Sequence, residues 1–440
     1  MAVILLFIAL IVLLYFGYIS SKGKLISPQF GFVLSFIPQV FLAIFYVGKW
    51  NLNLSIETFL LLFLGVLLFI LVCNFAQYVI KPIKLCKYSR KKNKITIISG
   101  DQNVESWKLI VFIGFQCLTI GLLVRYLLSL ASGVSLYNAI LFYRYTNLFA
   151  EDTFKISGLI RMMRTICVSS GYIWMYLLLR SIIYKDKTNK LFLLANIALS
   201  LINDVVLGAR TGIAIMIICG VVQYYFLNAR KKGWKKAISF KAIFRILIIG
   251  CVFIASFQTL AEIMGRTLAS EYNFMDYIAG YLSAPLKNLD VFINKGVFGS
   301  TIETNQTMNG IIPLLSQIFD HPEWIHKLDL PFVYERGHNF GNVYTVFYPF
   351  LYDLGYIGIV LYIPIMALIS QLVYKSAMKN NENSIVSVPI VMYSYIYYTI
   401  VFSFFSDKFY ETIANTKFLW TLVSWLLINW FINFKTKGRR

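Results

Sequence analysis

Apolar runs long enough to cross a bilayer as helices, about 17–25 residues each, recur from one end of the chain to the other. Eleven spans are predicted: Ala2–Ile19, Phe30–Val47, Ile56–Ile80, Trp107–Leu130, Gly158–Tyr184, Leu191–Leu207, Ile213–Leu227, Ile243–Met264, Val343–Tyr374, Ile385–Phe405 and Phe418–Phe434. The ninth is longer than one straight crossing needs. The excess reflects tilt or a break in the helix around Pro349 and Gly355. Residues 265–342 form the one long polar connector, too long to lack structure of its own, so short helices are expected over the external mouth. Residues 131–157 form a polar and aromatic connector centred on Tyr143-Arg144-Tyr145, and the sixth and seventh spans meet in the tight turn Gly208-Ala209-Arg210-Thr211-Gly212.

Composition agrees with this pattern. Charged residues make up 14% of the chain and hydrophobic ones 58%, against about a quarter charged in a soluble protein. The chain therefore reads as an all-α polytopic membrane protein, one membrane domain over 1–440 with the 265–342 loop inside it. The net charge of +21 changes little, because Lys and Arg gather in short clusters between apolar runs rather than on a soluble face. Nucleic acid is excluded as a partner on that ground, and the anionic membrane lipid is the expected one. Alternate connectors sort cleanly. The set 20–28, 81–106, 184–190, 229–242, 375–384 and 435–440 carries 24 of the 41 cations, and the longer opposing set carries 10. Eleven spans with the N-terminus outside and the C-terminus in the cytoplasm satisfy the positive-inside rule at every loop. The long loop, the Arg210 turn and the Arg144 connector then share the extracytoplasmic face.

Cys73, Cys86, Cys117, Cys167, Cys219 and Cys251 show no CxxC spacing and fall in no external loop, so all six are expected to be buried thiols. The first apolar run has no basic segment ahead of it and no small-residue cleavage site, and it reads as a retained helix.

Polar groups at a loop–membrane junction sit where a lipid-borne substrate is reached. Arg210 lies within a few residues of two apolar spans. Its guanidinium offers a two-pronged, permanently charged grip on phosphate; the plainer alternative is an arginine that snorkels to the interface. His338 closes the long loop. It is a candidate general base or a hydrogen-bond donor to a leaving phosphate, or else a packing histidine. His321 and His326 flank Pro322 and share no helical face, so no metal site and no cofactor are expected. The chain has no Walker-type phosphate loop, HExxH, GxSxG or Asp-x-Asp. An enzyme built this way uses a donor already activated in the membrane. A polyprenyl-pyrophosphate glycan fits, since catalysis then needs mainly cations for the leaving group and a base for the acceptor hydroxyl.

Two stretches resemble one family. Leu207-Gly208-Ala209-Arg210-Thr211-Gly212 is similar to the Ser/Ala-Arg-Thr-Gly turn of the Wzy-type O-antigen and capsule repeat-unit polymerases, relatives of the O-antigen ligases. His338-Asn339, then Asn342-Val343-Tyr344 and Asp353-Leu354-Gly355-Tyr356-Ile357-Gly358, resembles that superfamily's His-Asn segment and the acid-x-Gly-x-x-Gly helix start after it. The resemblance implies a metal-independent GT-C-like fold. It implies transfer of a growing glycan from undecaprenyl pyrophosphate to the non-reducing end of an incoming lipid-linked repeat unit, beside a flippase and a chain-length regulator. On it, Arg210, with Arg266 and Arg336 or Arg144, holds the donor pyrophosphate, near Asn339. His338 activates the acceptor or steadies the leaving group, and Asp353 orients His338 or serves the helix start. Arg266 and Arg144 rest on topology alone. The alternatives are a ligase and a flippase or transporter of lipid-linked sugars; the one-sided polar weight and the absence of repeats speak against alternating access.

Overall fold

A computed structural model of the protein describes residues 1–80, 103–131, 133–149, 154–207, 211–234, 274–335, 337–379 and 384–434. The fold is helical, as it must be where no water satisfies backbone groups. Among the described residues, seven helices are long and apolar enough to cross a membrane: α1 (Ala2–Ser20), α2 (Pro28–Tyr46), α3 (Ile56–Val79), α4 (Ser106–Leu130), α6 (Gly158–Tyr184), α8 (Thr211–Lys231) and α13 (Tyr356–Lys379). The chain is a multi-pass membrane protein. The expected span 243–264 lies outside the described residues. Three further expected spans form shorter or less apolar helices: α7 (Lys190–Val205), α14 (Val388–Val401), continued by a 3-10 turn to Phe404, and α16 (Thr416–Asn433). The connector after α4 holds a helix that patterning did not predict, α5 (Leu136–Phe149). Cys73, Cys167 and Cys219 are buried, but Cys117 is exposed on α4; a small thiol is apolar enough to face lipid as readily as core. Cys86 and Cys251 lie outside the described residues.

The long connector does fold into short pieces: α9 (Phe274–Leu282), α10 (Ala284–Lys295), α11 (Ile312–Phe319) and a hairpin of β1 (Tyr334–Glu335) with β2 (His338–Asn339). Then come α12 (Phe347–Leu354) and, after α14, α15 (Lys408–Ile413). The described parts of the chain form two compact units. One comprises Met1–Leu85, Ser270–Lys379 and Tyr395–Phe418; the other comprises Cys86–Ala269, Asn380–Ser394 and Leu419–Arg440.

In the first unit α2 and α3 pack through aromatic rings. Phe32 stacks on Phe69 at 4.1 Å, and Phe347 of α12 joins Phe32 and Phe36. Asp290 of α10 is buried at the start of α3, where it accepts hydrogen bonds from the Ser55 N–H at 2.9 Å, the Ser55 hydroxyl at 2.8 Å and the Thr58 hydroxyl at 2.7 Å. A carboxylate there meets the positive end of the helix dipole and anchors the loop helix to the span. At the other end of α3, the Lys375 ammonium of α13 donates to the carbonyls of Ala76 at 3.0 Å and Gln77 at 2.7 Å, a cation at the negative end.

The ninth apolar stretch does not run straight. It breaks at Gly355, whose φ of 58° and ψ of −147° end α12 and start α13. A Cβ at Gly358 would lie 2.1 Å from the Phe350 carbonyl oxygen, so the two helices close on each other only because that position is glycine.

The second unit packs α6 against α7 and α8, with Gly171 lying against Ser200 and Met216. Several of its buried polar groups pair across helices. The Gln116 amide donates to Asn196 at 2.8 Å, Gln223 donates to the Tyr172 carbonyl at 3.1 Å, and the Trp425 indole donates to the Ser169 carbonyl at 2.8 Å.

Gly358→Ala is expected to cost about 1–3 kcal/mol through overpacking. The measurement is thermal aggregation of the detergent-solubilised protein, with Gly280→Ala as control because a Cβ there meets nothing within 4 Å. Equal thermal stability of the two variants would refute the close approach.

Candidate functional site

The Glu335–Gly358 stretch is built on the β1–β2 hairpin. Tyr334 pairs with Asn339 and Glu335 with His338, around a turn in which Gly337 takes φ +77°. The hairpin is tied down from beneath: the Asn288 amide donates to the carbonyls of Phe340 at 3.1 Å and Val343 at 2.8 Å, and buried Lys287 pairs with Glu335 at 2.8 Å. Asn339 is exposed, and its side-chain oxygen accepts from the Gly341 N–H at 2.8 Å. His338 is half-buried, 6.2 Å from the Phe340 ring, and its charge acts on Asp276. Asp276 bonds Lys49 at 2.8 Å and the Tyr46 hydroxyl at 3.0 Å. The Lys49 hydrogen bond first, then that of Tyr46 and the charges of Lys49 and His338, hold its carboxyl below the usual range.

Asp353 is 2% exposed and does not bond His338. Its Oδ1 accepts from the Ser300 hydroxyl at 2.9 Å and the Gln306 N–H at 2.8 Å, and its Oδ2 accepts from the Thr307 N–H at 2.8 Å. It is a loop clamp that fixes the 300–307 segment onto α12. The other two histidines also brace the loop. His321 pairs with Glu323 at 2.7 Å and stacks on Trp324, and both ring nitrogens of His326 contact carbonyls, those of Trp324 and Asn305, at 2.8 Å. Among the described residues no group of three or more His, Cys, Asp or Glu side chains comes together to hold a metal ion.

Within the same unit lies a cavity of 180 Å3. One wall is Asn342, Val343, Tyr344 and Thr345, with Tyr348 and Pro349 of α12 beyond them. A second is Gln306, the residue Asp353 fixes, with Leu328 and Leu330. The third is Ser406, Asp407, Lys408 and Glu411, at the start of α15. Tyr344 and Tyr348 stack at 4.1 Å. Burial first, then the nearby Asp329 carboxylate, pushes the Tyr344 phenol up to about 12 and raises that of Tyr348 as well, so both keep their protons.

Asp407 is the unusual group. It caps α15 through Oδ1, which accepts from the Tyr410 N–H at 3.1 Å. Phe409 and Tyr410 are buried, and the Tyr410 hydroxyl donates to the Tyr362 carbonyl at 2.7 Å, so the short helix is seated in the core and takes Asp407 with it. The side chain is 2% exposed, and its Oδ2 has no hydrogen-bond partner among the described residues. Burial pushes its carboxyl well above the usual range; the Tyr410 N–H and Lys408 oppose this and Glu411 adds to it. Lys408 is itself paired with Glu411.

Of the residues singled out in the sequence, Arg210, Arg266 and Arg336 lie outside the described residues. Arg144 is half-buried on α5 in the second unit. The Arg210 turn has described neighbours. Arg164 of α6 donates to the Asn203 carbonyl at 3.0 Å and to the Asp204 carboxylate at 2.9 Å. Asp204 packs so closely on Gly212 that a Cβ there would lie 1.8 Å from its Oδ2. A carboxylate thus sits at the N-terminus of α8, the end that favours an anion. The sequence reading missed Arg164, Gln306 and the Ser406–Glu411 wall. The signal for the last was available: Asp407 is an acid in a short connector between two apolar runs, the same argument that picked out Arg210.

No protein-family model, no curated protein and no solved structure matches the chain.

A carboxyl protonated in the folded state and ionised in the unfolded one makes stability fall as pH rises, from the ordinary value of 3.8 up to its raised folded value. Asp407→Asn removes that penalty. Its melting temperature is expected to equal or exceed that of the wild type, by a margin that widens as pH rises from about 4. A margin that is flat or shrinks with pH would show that Asp407 is not a buried titrating group.

Proposed function

We propose that the chain is a polymerase of lipid-linked oligosaccharide repeat units, working at the extracytoplasmic face of a bacterial cytoplasmic membrane. It transfers the growing glycan from undecaprenyl pyrophosphate to the non-reducing end of an incoming undecaprenyl-pyrophosphate-linked repeat unit, with a flippase and a chain-length regulator as its partners. One observation carries this reading. The residues of the family-like stretch, Asn342-Val343-Tyr344 and, through Gln306, Asp353, build and brace a cavity that ends on a buried carboxylate. That is the arrangement acid–base chemistry on a bound hydroxyl requires.

On this reading the guanidinium groups of Arg210, Arg266 and Arg336, or of Arg144, take up the charge that develops on the departing pyrophosphate. His338, beside Asn339 on the hairpin, steadies the leaving group or takes the acceptor proton. Asp353 acts at one remove, as a positioning residue for the loop. Side-chain cations and one base suffice for this transfer, because the donor arrives activated.

Deleting the gene in the bacterium that carries it is expected to leave single repeat units on the exported lipid and on the cell surface. Long chains stranded on the lipid would mark a ligase instead, and single units held on the cytoplasmic side a flippase. Arg210→Ala and His338→Ala, each produced at the normal level, are expected to slow chain extension by about 10²–10³-fold. Chains of full length from both variants would refute this assignment of the site.

A further inference from the structure

The cavity has a charge balance that selects its occupant. Lys408, the one cationic wall residue among the described residues, is paired with Glu411 and so is neutralised in place. Asp407 adds a buried acid to the same wall, and Asp329, whose backbone N–H bonds the Gln306 side-chain oxygen at 2.9 Å, is a further acid close behind the opposite one. Among the described residues no unpaired cation lines the cavity, so a pyrophosphate does not match this wall. A neutral polyol does. Its ring faces meet the stacked Tyr344 and Tyr348, and its hydroxyls meet Asn342, Gln306 and the carboxylates. An apolar wall with a few fixed polar groups is the usual make-up of a small-molecule site. At 180 Å3 the volume is below the roughly 300–1,000 Å3 of drug-sized sites, which suits one sugar ring and not an oligosaccharide.

Two polar atoms of residues on this wall lack a partner. Asp407 Oδ2 and the Ser406 hydroxyl are both buried and without a hydrogen-bond partner among the described residues. Burying a carboxylate oxygen with nothing bonded to it is costly, and such a cost persists where function needs the group.

We infer that this cavity is the acceptor-sugar subsite and that Asp407 is the catalytic residue that accepts the acceptor's proton. The inference rests on the polymerase reading above and divides the work left open there: Asp407 serves the acceptor, and His338 is left to the leaving group. In the transfer, the O–H bond of the terminal acceptor sugar breaks and its proton passes to Asp407 Oδ2. The freed electron pair of that oxygen forms the new bond to the anomeric carbon of the donor glycan. The bond from that carbon to the pyrophosphate oxygen breaks, and its pair leaves on undecaprenyl pyrophosphate. Burial raises the proton affinity of this carboxyl, which strengthens it as a proton acceptor.

The test uses the full-length protein in the bacterium that carries the gene, comparing the deletion with Asp407→Asn and Asp407→Glu, and reading repeat-unit chain length at matched protein level. Asp407→Asn is expected to match the deletion, with extension slowed by about 10²–10⁴-fold. Asp407→Glu, which keeps a carboxylate, is expected to restore part of the chain length, which a merely structural role would not do. Full-length chains from Asp407→Asn, against a deletion that lacks them, overturn the inference and leave the polymerase reading standing. Full-length chains from the deletion itself overturn both. If Asp407→Asn fails to accumulate, the wild-type protein decides. Purified in detergent and treated with dicyclohexylcarbodiimide, which attacks protonated carboxyls in apolar surroundings, it is expected to be labelled at Asp407, with labelling falling as pH rises. Labelling elsewhere that spares Asp407 overturns the inference.

Discussion

The carboxylate of Asp353 is the contact on which this arrangement turns. Buried on a helix too short to cross a membrane, it accepts three hydrogen bonds from a segment about fifty residues earlier in the chain. A carboxylate is an acceptor-only group with room for several bonds. Filling it with two backbone N–H groups and a hydroxyl satisfies donors that an irregular loop would otherwise bury unpaired. The fixed segment then carries Gln306 into the cavity and bonds Asp329 through its side chain. Asp290 does comparable work at the head of α3, so two buried acids fasten the long connector to the helices beneath it. Neither touches a substrate in this account, and the shape of the cavity depends on the first.

That division between fastening acids and a reacting acid also explains what was legible in the sequence. The apolar runs located seven helices long and apolar enough to cross a membrane, and Gly355, with Pro349 nearby, marked the break that separates α12 from α13, because both are statements about local backbone chemistry. The Glu335–Gly358 stretch stood out as polar residues at a membrane junction, and part of it does line the cavity. Which residue does what was not legible. Asp353 sits in a family-like motif, yet its partners are Ser300, Gln306 and Thr307, contacts set by tertiary packing. Asp204, six residues before Arg210, is paired with Arg164, forty residues upstream of it. Asp407 stood in a short connector between apolar runs, but its burial follows from the seating of Phe409 and Tyr410 in the core, which no local pattern announces.

Charge placement separates the fastening pairs from the reacting group in the same way. Lys49 with Asp276, Lys287 with Glu335, and Arg164 with Asp204 each set a cation directly on an anion. Such partly exposed pairs orient segments more than they stabilise them. Asp407 instead caps α15 through one oxygen, and its other oxygen is buried without a hydrogen-bond partner among the described residues. Pairing on the first three acids and a buried, unpaired oxygen on Asp407 set that group apart.

The three walls of the cavity lie far apart along the chain, and this has a consequence for biogenesis. Gln306 and the Asn342–Pro349 wall leave the ribosome first; the Ser406–Glu411 wall follows some sixty residues later, about 3–12 s at roughly 5–20 residues per second. The nascent protein therefore carries its folded loop for seconds without Asp407 in place. A chain that stalls or is cut before α15 keeps most of its spans and its hairpin, and lacks the acid. On the proposed acceptor-base role, such a copy has the cavity's first two walls and no group to take the proton.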